Sequence, residues 1–131
     1  MNHIDTSKIT DMSYLFHGDG FNDGYGLRKF NGDISKWNVS NVTSMSHMFG
    51  GAYLFNQPIG DWDISNVKDM SYMFFGAKSF NQPIENWNVS KVKNMYGMFW
   101  GAKAFNQSIG DWDVSNVNDM HNMFLCAEEF N

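Results

Sequence analysis

Apolar and polar positions along this chain follow one pattern that returns every 25 residues. In the second full copy the apolar set is Phe55, Ile59, Trp62, Ile64, Val67, Met70, Met73, Phe74 and Ala77. Within the unit the period changes once. Trp62 and Ile64 stand two apart, as do Trp37 and Val39, Trp87 and Val89, and Trp112 and Val114, which is the alternation of a short half-buried strand. Met70, Met73, Phe74 and Ala77 then fall at i, i+3, i+4 and i+7, which predicts one face of a short helix. Asp11, Ser44, Asp69, Asn94 and Asp119 each precede the first Met of that stripe and are the predicted N-caps, because a side-chain oxygen there can accept from a first-turn amide. Gly51, Gly76 and Gly101 stand just before Ala52, Ala77 and Ala102, where so short a helix should stop.

A period of this length marks a small unit stacked on copies of itself, each too small to bury its apolar face alone. The spacing Ile59-x-x-Trp62-x-Ile64-x-x-Val67 matches the leucine-rich-repeat signature, with Trp in a Leu position. The expected fold class is therefore an α/β solenoid, leucine-rich-repeat-like, with one short parallel strand and one short helical turn per 25-residue coil and about five coils. The chain is expected to form one repeat domain over residues 1–131. Its first coil, 1–29, is degenerate and carries a glycine-rich loop insertion at 17–29; regular units follow at 30–54, 55–79, 80–104 and 105–129. The Asn of each Phe-Asn pair (Asn31, Asn56, Asn81, Asn106) is expected to form a stacked amide ladder, and Ser40, Ser65, Ser90 and Ser115 to be hydrogen-bonded turn residues.

The run Phe-Asn-Gln-Pro-Ile-Gly-Asp-Trp-Asp-Ile-Ser-Asn-Val-Lys-Asp-Met-Ser-Tyr-Met-Phe, residues 55 to 74, resembles the repeat of bacterial surface proteins and lipoproteins, BspA-like and mycoplasma-type. The resemblance is close over residues 30 to 131 and loose over 4 to 16, and residues 17 to 29 depart from it. It implies a leucine-rich-repeat-like module used for adhesion or protein binding at a bacterial surface, in a family without established functional residues.

Net charge of −5 argues against nucleic acid or an anionic membrane as partner. No segment is long and apolar enough for direct membrane insertion, and residues 1 to 20 lack the layout of a signal peptide. The expected location is the bacterial cell surface or the extracellular space if this is a fragment of a longer protein, with the cytoplasm as the alternative. The single Cys126 excludes an intrachain disulfide, and it fills the slot of Gly51, Gly76 and Gly101, where a small packed residue is expected.

Two surfaces are candidate partner-binding sites. Period-two alternation turns Asn38, Asp63, Asn88 and Asp113 away from the core, flanked by Lys36, Asp61, Asn86 and Asp111, which makes an acidic, amide-rich inner face of Asp61, Asp63, Asn86, Asn88, Asp111 and Asp113. The second is an aromatic patch of Tyr72, Phe75, Tyr96 and Trp100, off the buried stripe. No catalytic constellation, metal-ligand spacing or cofactor motif is read: His121 and Cys126 lack an orienting group, and His3, His17 and His47 have no metal spacing. The expected function is a non-enzymatic repeat module for protein–protein interaction or adhesion. Its alternatives are a glycan- or calcium-dependent adhesin using Asp61, Asp63, Asp111 and Asp113, and a structural spacer. The expected partner is another protein, basic or carrying an apolar patch, or a further copy of the chain through an uncapped C-terminal coil.

Overall fold

A computed structural model describes residues 3–18 and 27–131; the centre of the predicted insertion, 19–26, lies outside them. The only element longer than a turn among the described residues is a 3-10 helix, Leu27–Lys29. The α/β solenoid expectation is thereby overturned, since the described residues form neither a strand nor an α-helix.

The predicted helix fails because its polar backbone is committed elsewhere. The N–H groups of Met45, His47, Phe49 and Gly51 donate to the carbonyls of Asp69, Ser71, Met73 and Phe75, one winding on. The amides between them close tight turns, Met48 onto Met45 at 3.1 Å and Ala52 onto Phe49 at 3.0 Å. The third residue of each turn has positive φ, 59° at His47 and 71° at Gly51, as in a type II turn. Two left-handed residues per winding are incompatible with a right-handed helix. Met45, Met48, Phe49 and Ala52 nevertheless all face inward and are fully buried. Spacing at i, i+3, i+4 and i+7 is thus met by consecutive turns as well as by a helix.

The predicted strand fails for a related reason. Trp62 donates its amide to Ile59 and Val67 to Ile64, so tight turns occupy both flanks of Asp63. Asp63 itself accepts from the Ser65 amide at 3.1 Å, a local side-chain bond that competes with sheet pairing. Pairing moves instead to the residues expected as caps, in a column of isolated parallel bridges joining Asp11, Ser44, Asp69, Asn94 and Asp119. Capping chemistry survives there in another setting: Asp69 accepts from the Ser71 amide at 2.9 Å and Asn94 from the Tyr96 amide at 2.9 Å, each capping a turn.

Side chains at equivalent positions stack between windings. Phe49 lies 5.5 Å from Phe74, and Phe74 lies 5.6 Å from Phe99. A second file, Phe55, Phe80 and Phe105, runs beside it, with the Phe74 and Phe80 rings stacked nearly parallel at 4.1 Å. Indole N–H groups tie the files to the backbone, Trp62 to the Ile34 carbonyl, Trp87 to Ile59 and Trp112 to Ile84. The amide ladder runs outside the core: the N–H of Asn56 donates to Oδ1 of Asn31 at 2.9 Å, and Asn81, Asn106 and Asn131 continue it.

Candidate functional site

The six acidic-face residues Asp61, Asp63, Asn86, Asn88, Asp111 and Asp113 are all exposed. Asp61 and Asn86 share a shallow recess with Pro58, Gly60, Pro83 and Glu85. Asp63, Asn88 and Asp113 are occupied locally, each accepting the amide of the serine two residues on. Bonds from the Ser65 hydroxyl and amide hold the Asp63 carboxyl below the usual carboxylate range, and Ser115 does the same for Asp113. Among the described residues no group of three His, Cys, Asp or Glu could hold a metal ion.

The aromatic residues come together more closely. Tyr72 and Tyr96 lie 5.1 Å apart, and Phe75 meets Trp100 edge-on at 5.5 Å. Phe75 is exposed, while Tyr72, Tyr96 and Trp100 are half-buried. The row extends through residues that the sequence did not single out: Tyr14 stacks on His47 at 4.4 Å and His47 on Tyr72 at 4.6 Å. Burial between these rings, with a smaller contribution from His17, disfavours the charged form of His47 and lowers its pKa.

A third surface was missed. Beside the column of Gly51, Gly76 and Gly101 runs a groove that includes Arg28, Tyr53, Lys78 and Lys103. Lys78 sits 4.4 Å from the Tyr53 ring centroid and Arg28 5.3 Å from it. Tyr53, Lys78 and Lys103 share one register position, 25 residues apart, which was the available signal.

The ends of the stack differ. Met12 and Phe16 in the first winding are 2% and 6% exposed, whereas their last-winding counterparts Met120 and Phe124 are 42% and 36% exposed. Cys126 is also exposed rather than packed, and keeps the left-handed backbone of the glycines it replaces, with φ 59°.

No curated protein and no solved structure matches the chain. A family described as a Mycoplasma protein of unknown function, DUF285, matches residues 21–131. This replaces the BspA-like leucine-rich-repeat assignment, whose strand-and-helix unit is absent from the described residues. With that unit go the adhesion module, the calcium- or glycan-dependent adhesin and the spacer, all of which were inferred from it. The match indicates a bacterial origin, and no helix among the described residues is long and apolar enough to cross a membrane. With most of its length covered by that match, the chain belongs to the DUF285 family of Mycoplasma proteins of unknown function.

Proposed function

We propose that this chain is a non-catalytic assembly protein, located at the bacterial surface, that joins end to end with further copies of itself. Of the partner expectations, association with a second copy is the one the geometry favours. The supporting observation is a polarity in the backbone edges. Along the last winding the amides of Met120, Asn122, Phe124 and Cys126 stand in the register of Met95, Gly97, Phe99 and Gly101, which donate to the next winding, but they meet no acceptor among the described residues. Along the first winding the carbonyls of Asp11, Ser13, Leu15 and His17 are in the register of acceptors and meet no described donor. Along this row one end offers donors and the other acceptors, so head-to-tail contact pairs them, whereas like ends would oppose donor to donor there.

Apolar exposure agrees with this reading. Ile4, Ile9, Tyr14 and Leu15 are exposed in the first winding, and Met120, Phe124 and Leu125 in the last. Burying both sets on association supplies the hydrophobic term that the edge bonds alone would lack.

Sedimentation analysis of the chain and two variants, Leu15→Asp and Phe124→Asp, tests the reading. The unaltered chain is expected to form concentration-dependent oligomers, and each variant alone to be monomeric. Mixed together, the variants retain one intact end each and should form a dimer that grows no further. A monomeric unaltered chain at all concentrations, or a dimer that Leu15→Asp leaves untouched, would overturn the head-to-tail arrangement.

A further inference from the structure

The groove beside the glycine column gathers cations in a chain that is otherwise acidic, with net charge −5 and nine Lys and Arg in all. Its shape follows from the turns. Gly51, Gly76 and Gly101 have φ of 71°, 65° and 71°, so glycine is favoured at each, and the missing side chains leave a floor of bare backbone. A Cβ added at Gly101 would lie 3.6 Å from the Gly76 backbone, so the floor is closely stacked as well as bare.

Charge lines this floor. Tyr53 holds Lys78 and Arg28 against its ring, which fixes two flexible cations in one place. Lys103 stands one winding beyond Lys78 and pairs with Glu128 at 3.7 Å, with half or more of each side chain exposed. Such a surface pair contributes little and exchanges readily for a stronger anion. Adjacent windings lie about 5 Å apart, as bridged parallel segments do. Lys78 and Lys103 can therefore both reach one tetrahedral or planar anionic group. The groove encloses about 470 Å³, which suits a small ligand.

We infer that this groove binds a small, multiply charged anion bearing phosphate or carboxylate groups, held by Arg28, Lys78 and Lys103 above the Gly76–Gly101 floor. Arg28, Lys78 and Lys103 are not among the edge residues on which the assembly reading depends. Calorimetry and thermal unfolding with tripolyphosphate and with citrate, at constant ionic strength, test it in the Phe124→Asp background, where assembly does not contribute. One or both anions should bind and raise the unfolding temperature, and which one does so identifies the anionic group. Lys78→Gln with Lys103→Gln should weaken binding at least tenfold. Lys68→Gln with Lys93→Gln removes the same charge elsewhere and should leave affinity unchanged. Absence of binding by both anions, or an equal loss in the two double variants, would overturn the site.

Discussion

The indole N–H of Trp87 donates to the carbonyl of Ile59, 28 residues earlier, at 3.0 Å, and both residues are buried. Each such bond lets a large ring fill the core without stranding its polar atom. Trp87→Phe keeps most of the apolar volume but removes one of the two donors to this carbonyl, which retains the Trp62 amide at 3.1 Å. It is expected to cost about 0.5–1.5 kcal/mol, read by chemical denaturation, and Trp87→Ala about 3–5 kcal/mol.

The amide ladder makes a second, separable contribution. Oδ1 of Asn56 accepts from the Asn81 amide at 2.9 Å and from Gln82 Nε2 at 3.1 Å. Asn56→Ala should lose about 1–2 kcal/mol in the same measurement. Asn56→Asp retains the acceptor and should lose less, so the difference isolates the acceptor's role.

Gly76 and Cys126 occupy equivalent corners, with φ of 65° and 59°. A Cβ at Gly76 would meet nothing closer than 3.9 Å, so Gly76→Ala is penalised through conformation rather than collision. The expected loss is about 1–2 kcal/mol. Cys126→Gly should move the other way, gaining about 1 kcal/mol. Thermal unfolding of the pair checks both signs.

Acid should loosen the turns. The carboxyls of Asp5, Asp11, Asp63 and Asp113 are held low by bonds from the serine two residues on, and that of Asp119 by His121. A depressed folded pKa contributes stability above the unfolded value of about 3.9 that is lost as pH falls through the folded value. His47 acts at higher pH with the same sign: its lowered pKa favours the neutral ring, so stability declines once pH drops below about 6.5. Unfolding temperature should therefore fall in two stages between pH 7 and pH 2. Asp63→Asn with Asp113→Asn should flatten the lower stage, since Asn38 and Asn88 already make the same bond without charge.

What could be read from the residues was which side chains face inward. Met70, Met73, Phe74 and Ala77 are buried, and Trp62, Ile64 and Val67 with them. The conformation that turns them inward was not legible, because the stripe fits successive turns as well as a helix. The deciding facts are positive φ at His47 and Tyr72, for which the clearest signal was Gly97 and Asn122 in the same register. The bridge column was misplaced for a similar reason: Asp69 and its equivalents suit a turn cap and a bridge alike. The aromatic row was half visible, since His47 joins Tyr14 to Tyr72 although it matches neither in type. The cationic groove escaped because Lys78 and Lys103 are single residues in separate units, and they become a cluster only when windings are laid side by side.

The ladder in which each asparagine accepts from the residue 25 positions later has a consequence for how such a chain can change length. Excising 25 residues from the middle rejoins Asn to Asn, Phe to Phe and Trp to its carbonyl, whereas excising 24 or 26 misaligns every file beyond the cut. Tolerated insertions and deletions are therefore quantised. Genes encoding such chains are expected to lengthen or shorten by whole-unit recombination, with point indels confined to stretches outside the ladder.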